Sequence, residues 1–170
     1  WTLKIDSRPM EVTGTKIPSG NLLFTGKTIN IENCRSLERE GQQKFFRAKA
    51  FNDIVIFYPS RNSREYQSFM QNFEEVIRQY EVKVANLLSV EIEDFRNFNE
   101  IKMKAESKLK PSVTVCIWIL PGAKKQGTNY DKIKKLLINN IPVPSQMMLT
   151  STIAAGKNLR SIITSMLVQV

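Results

Sequence analysis

Tyr130, Lys134 and Gln146 are the residues whose types and spacing best fit a piece of chemistry. Tyr130 and Lys134 are four apart, so on a helix they share one face. At the start of a helix they would lie where free N–H groups and partial positive charge favour a bound anion. Lys134 then offers a phosphate a full positive charge and Tyr130 a hydroxyl, while the Tyr130 ring offers a nucleobase a stacking surface. Gln146, entering the next apolar stretch, can donate from its amide to a phosphate oxygen. The same residue types at the same spacing occur on ordinary solvated helices and at strand edges, so spacing alone leaves both readings open.

A second candidate is the loop Gly122-Ala123-Lys124-Lys125-Gln126-Gly127-Thr128, between an apolar run and a helical pattern, where a phosphate-binding P-loop would lie. That motif places a lysine directly after its second glycine and a hydroxyl residue after that. Here Thr128 fills the lysine's place and Asn129 the hydroxyl's, which argues against a nucleoside triphosphatase. A nucleotide-binding domain using residues 122–128 stays as an alternative, and so does a protein-interaction module.

Catalysis is the least supported class. Histidine is absent, which removes the commonest general acid/base and nucleophile activator. Cys34 and Cys116 lie far apart with no metal-ligand spacing. With no disulfide framework, a reducing cytoplasmic or nuclear setting is expected. No metal site can be named, and the chain reads as a binding domain with no enzymatic activity of its own. No apolar run reaches the about 20 residues a membrane helix needs.

Charge points to the partner. The net charge is +9, and residues 1–100 balance 14 basic against 14 acidic side chains. Residues 101–170 hold 11 Lys and Arg against Glu106 and Asp131 alone, so the whole excess lies there. Such asymmetry suits a polyanionic partner. Lys124, Lys125, Lys132, Lys135, Lys157 and Arg160 are candidates for steering it.

The elements that must position these residues follow from periodicity. Residues 1–50 alternate turn-forming clusters with short apolar stretches and predict an extended arm with few strands of its own. Ile54 to Tyr58, ending at Pro59, reads as a strand buried on both faces. Ser63 is expected to cap a helix carrying Tyr66, Phe69, Met70, Phe73, Val76, Ile77 and Tyr80 on one side. A vaguer strand near residues 83–90 and a helix over 97–108 follow. The strongest strand, Val113 to Leu120, stops at Pro121-Gly122. A helix from Tyr130 to about Asn139, a short strand over 146–149 and a last helix over about 157–167 complete the pattern. Strands alternating with helices predict an α/β, Rossmann-like parallel sheet with helices on both faces, preceded by the arm. In such sheets ligands gather at the carboxyl ends of the strands.

Ile119-Leu120-Pro121-Gly122, Tyr130-Asp131-Lys132-Ile133-Lys134-Lys135 and Pro142-Val143-Pro144-Ser145-Gln146 together resemble the MID domain of Argonaute and Piwi proteins. In that family a Tyr-x-x-x-Lys pair precedes a glutamine by the interval of twelve residues seen here between Lys134 and Gln146. Phe57-Tyr58-Pro59-Ser60-Arg61, followed by the amphipathic helix, resembles the domain's opening strand and helix. Arg8-Pro9-Met10-Glu11-Val12 resembles the linker leading into it in Piwi proteins. The resemblance implies a linker arm over 1–50 and a MID domain over 51–170. The family's slicing chemistry would reside in a following PIWI domain that this chain lacks.

It further implies anchoring of a small guide RNA in RNA silencing. Tyr130 would stack on the first base and touch the 5′-phosphate. Lys134, Gln146 and the backbone amide of Met147 would hold the phosphate, and the loop from Gly122 to Asn129 would read the first base. Gln169 stands where the Argonaute branch has a phosphate-binding lysine, which resembles the Piwi branch. A terminal phosphate carries about −1.5 to −2 and Lys134 supplies one positive charge, so the resemblance implies a magnesium ion making up the difference. The expected partners are a 5′-phosphorylated guide RNA and the remaining domains of the parent protein, with the chain itself monomeric.

Overall fold

A computed structural model describes residues 10–33, 50–122, 128–156 and 158–168. The arm, up to residue 33, contains one short hairpin. β1 (Asn21–Phe24) and β2 (Lys27–Asn30) pair antiparallel around Thr25-Gly26. Gly26 sits at φ 82°, a conformation that costs glycine little. The hairpin tucks in Phe24 and Ile29, while Met10, Val12, Ile17 and Leu23 stay exposed.

The regular part opens with β3 (Phe51–Pro59), followed by α1 (Ser63–Tyr80), β4 (Val84–Ile92), α2 (Phe98–Lys108) and β5 (Val113–Leu120). Then come α3 (Tyr130–Asn139), β6 (Ser145–Leu149), α4 (Thr150–Ala155) and α5 (Leu159–Val168). The four long-range strands form one parallel sheet in the order β4-β3-β5-β6. The predicted α/β class with helices on both faces is therefore the observed one.

The central strands are apolar at consecutive positions because both of their faces are covered. On one face Ile54, Ile56, Val115, Ile117 and Ile119 pack with Phe69, Phe73 and Val76 of α1 and with Ile153, Leu159 and Ile163 of α4 and α5. On the other, Val55, Phe57, Cys116, Trp118 and Leu120 meet Ile101 and Ala105 of α2 and Ile133, Leu136 and Leu137 of α3. Trp118 is fully buried and stacks on Phe57 with ring centroids 3.9 Å apart. Its Nε1 donates to Cys116 Sγ at 3.3 Å.

Two helix boundaries differ from the sequence reading. Ser63 is already helical, and Asn62 takes the cap position without a side-chain bond to the helix amides. The predicted last helix over about 157–167 is α5, which starts at Leu159; before it lies α4, a short helix absent from the sequence reading, capped at Gly156 with a φ of 63°. An ion pair from Arg160 to Glu75 ties α5 to α1.

Candidate nucleic-acid interface

β5 delivers the chain to the carboxyl end of the sheet, where Gly122 turns at φ 89°. Its N–H donates to Thr150 Oγ1 at 2.9 Å, and its carbonyl accepts from the Ser151 N–H at 3.3 Å. Thr150 is buried, so this hydroxyl pins the start of the loop to the start of α4. Thr150 was not singled out from the sequence, because a threonine opening a helix carries no signal of such a contact. Within the expected base-reading loop, Ala123, Lys124, Lys125, Gln126 and Gly127 lie outside the described residues, as do Lys157 and Gln169. Thr128 is buried. Asn129 adopts the left-handed conformation at φ 54° and donates from Nδ2 to the carbonyls of Phe95 and Arg96 at 2.9 and 3.0 Å. Asparagine tolerates that conformation better than most residues. The bonds lock the first turn of α3 against the connection between β4 and α2.

Tyr130 is the first residue of α3 and packs, half-buried, against the Trp118 side of the core. Lys134 lies one turn further on. Its Nζ donates to the Ser145 carbonyl at 3.2 Å and to Ser145 Oγ at 3.0 Å. An ammonium has three donors, so one remains for an external acceptor. Ser145 was not singled out from the sequence. Its position directly before Gln146 was the available clue.

The ladder explains what surrounds this ammonium. β6 is the last strand of the described sheet, and the Cys116 N–H donates to the Pro144 carbonyl at 2.9 Å. Backbone direction alternates along a strand, so Gln146 and Met148 turn their backbone groups towards β5. Ser145 and Met147 turn theirs to the outer edge, where Lys134 meets the Ser145 carbonyl. Side chains alternate as well. Ser145 is in register with Cys116 and Gln146 with Ile117, on opposite faces of the sheet. Lys134 therefore reaches the edge from the α3 face and Gln146 from the α1–α5 face, with the Met147 N–H turned outward between them. Tyr130 sits one helical turn above.

Other basic residues are partly engaged. Lys132 lies over the Phe98 ring, 5.6 Å from its centroid, Arg160 is held by Glu75, and Lys135 is exposed. Burial pushes the Cys116 thiol up to about 11, and the bond from Trp118 and the nearby Lys134 charge only partly oppose it. Cys116 is thus a neutral core residue behind the site.

The fold is a known one. No family model matches the chain. Piwi-like protein 1 of Gallus gallus is 23% identical over 171 residues, covering 99% of this chain and 19% of the relative. Protein aubergine of Drosophila melanogaster is 26% identical over 180 residues, covering 99% and 20%. The chain thus spans about one fifth of the length of these relatives. Among solved structures, Drosophila Piwi superposes with a TM-score of 0.70 at 18% identity, covering 90% of this chain and 21% of that one. The Arabidopsis thaliana AGO5 MID domain gives a TM-score of 0.51 at 15% identity, covering 74% and 92%. Clostridium butyricum Argonaute, solved with a guide DNA and a target DNA, gives 0.53 at 15% identity, covering 92% and 22%.

The fold is that of an Argonaute/Piwi MID domain. In sequence the chain is similar to Piwi-like proteins over nearly its whole length.

Proposed function

We propose that this chain binds a small guide RNA by its 5′-phosphorylated end, at the outer edge of β6. The observation that carries the reading is the Lys134 ammonium, held by two oxygens of Ser145 beside the outward N–H of Met147 and next to Gln146. A phosphate at this edge would receive the third Lys134 proton, the Met147 amide and the Gln146 side-chain amide. The Tyr130 ring, at the start of α3, would lie under the first base. The Argonaute bound to a guide DNA and the Piwi-like relatives support a nucleic-acid partner. Residues 51–170 form the binding unit in this reading and residues 1–50 the arm. Any cutting of RNA belongs to other domains of the parent protein, and the chain serves as a binding domain.

One lysine leaves a doubly charged phosphate short of positive charge. Among the described residues no group of three or more His, Cys, Asp or Glu could hold a metal. Since the Ser145 hydroxyl already accepts from Lys134, the oxygen donor offered at the edge is the amide oxygen of Gln146. Oxygen donors of this kind suit a magnesium ion that keeps most of its waters and binds the phosphate directly. Such an ion would supply the missing charge.

The test is a titration of the chain with short RNAs differing only in a 5′-phosphate or a 5′-hydroxyl, with and without magnesium. The phosphate strengthens binding, and Lys134→Ala erases the gain. Equal binding of both RNAs with a general salt dependence would reduce the basic half to an electrostatic patch.

A further inference from the structure

The sheet has a second edge, on the side away from β6. β4 is the last strand there among the described residues, and Ala85 to Ser89 are exposed along it. The Phe51 N–H donates to the Lys83 carbonyl at 2.8 Å. Backbone direction alternates along a strand, so Lys83, Ala85, Leu87, Ser89 and Glu91 turn their backbone groups to β3. The Glu91 carbonyl fits that count. It meets Pro59, which has no N–H, and accepts from Lys104 Nζ at 2.8 Å instead. Val84, Asn86, Leu88 and Val90 therefore turn their backbone groups outward.

Edge strands are usually blunted by charge, proline or a bulge. Residues 84–90, Val-Ala-Asn-Leu-Leu-Ser-Val, contain neither a charged residue nor a proline. The register on β3 is constant from Phe51–Val84 to Pro59–Ile92, so no bulge turns this edge away. Leu87 and Leu88, on opposite faces, are 37% and 42% exposed. The charges stand at the two ends instead, Lys83 just before the strand and Glu91 near its close, and both side chains are exposed. Such a strand is complementary to its own reverse. With a second copy antiparallel and Leu87 on the twofold axis, Lys83 of each copy faces Glu91 of the other. Asn86 and Leu88 then exchange backbone bonds with Leu88 and Asn86 across the axis, and Val84 does so with Val90. In this register outward groups meet outward groups, leucine meets leucine, and opposite charges meet twice.

We infer that two copies of this chain pair through β4 in a closed twofold dimer that joins their sheets, where the sequence suggested a monomer. The contact uses up the edge of both copies, so association stops at two. One strand pair is smaller than a standard stable interface, so the dimer forms reversibly as concentration rises. The β6 edge lies across the sheet from this contact, and RNA binding there and pairing here are independent.

Sedimentation velocity over a concentration series reaching about 0.5 mM tests the pairing. The weight-average sedimentation coefficient rises with concentration and levels at that of a dimer. Lys83→Glu and Glu91→Lys each weaken association about tenfold, because the axis makes every substitution count twice. The double variant Lys83→Glu/Glu91→Lys restores it. Leu88→Pro removes an outward N–H and leaves the ladder to β3 in place. It abolishes association while the circular dichroism spectrum stays native. A chain that is monomeric at every concentration overturns the inference and leaves the edge to another segment of the parent protein. Growth beyond a dimer overturns it too, as does a double variant that associates no better than the single ones, or a natively folded Leu88→Pro chain that still pairs.

Discussion

Ser145→Ala separates the geometry found at the β6 edge from the mere presence of a lysine. In the folded chain the Lys134 ammonium is fixed by Ser145 Oγ at 3.0 Å and by the Ser145 carbonyl at 3.2 Å. The substitution removes the first bond and leaves the second. A free lysine side chain has about 2 kcal/mol of rotamer entropy to lose. With one of two tethers gone, about half of that, roughly 1 kcal/mol, falls on the binding step. The preference for a 5′-phosphate over a 5′-hydroxyl RNA should then drop about fivefold. Lys134→Ala should abolish it. The assay is fluorescence anisotropy with the two labelled RNAs, read as the ratio of their Kd values. Ser145→Thr, which keeps the hydroxyl, should restore most of the ratio. If Ser145→Ala leaves the ratio unchanged while Lys134→Ala abolishes it, the tether has no role in binding and the positioning argument is wrong.

Thr150→Val removes the acceptor for the Gly122 N–H and, because Gly122 is exposed and water can take the lost acceptor's place, should cost about 0.5–1.5 kcal/mol of stability, the net worth of an ordinary hydrogen bond; urea denaturation measures it. Phe69→Ala, at a fully buried position between α1 and the sheet, should cost about 3–5 kcal/mol in the same experiment. Cys116, buried and with its thiol pushed up to about 11, should resist iodoacetamide at pH 8 in the native chain and react on unfolding, as peptide mass mapping would show. Burial alone would raise the Glu100 pKa, but the bond from Lys104 and the amides of Glu93 and Asp94 outweigh it, so Glu100 titrates below its ordinary value in the folded chain. Its contribution is therefore fully present above the unfolded pKa and lost as pH falls through the lower folded one. Glu100→Gln should accordingly flatten the acid side of the stability profile below about pH 4.5, and an unchanged acid limb would contradict the assignment.

Much of this molecule is legible along the chain because the signals are local. Val113 to Leu120 is an apolar run broken only by Thr114 and closed by Pro121, and it forms β5 with those bounds. The Tyr130–Asn139 helix likewise matches its apolar spacing. Both read clearly because burial on two faces, or on one helical stripe, is written directly as residue pattern. The interval from Lys134 to Gln146 carried the resemblance to MID domains, and the relatives and the fold agree with it. Where two local rules compete, the reading slipped. Asn62 and Ser63 are both good cap residues, and the 3-10 turn at Ser60–Asn62 decided between them.

Tertiary structure decided what no local pattern encodes. That Lys134 is tethered by Ser145, eleven residues away, follows from α3 lying across the end of β6. That Gln146 approaches from the opposite face, with the Met147 amide turned outward, follows from the register of β6 on β5. Thr150 clasping Gly122 and Arg160 pairing with Glu75 both join segments 28 or more residues apart. A sequence states which residues prefer burial, charge or a turn, since those preferences belong to the side chain and its near neighbours. Which distant groups meet depends on strand order and register, and these are fixed only when the whole sheet closes its two cores.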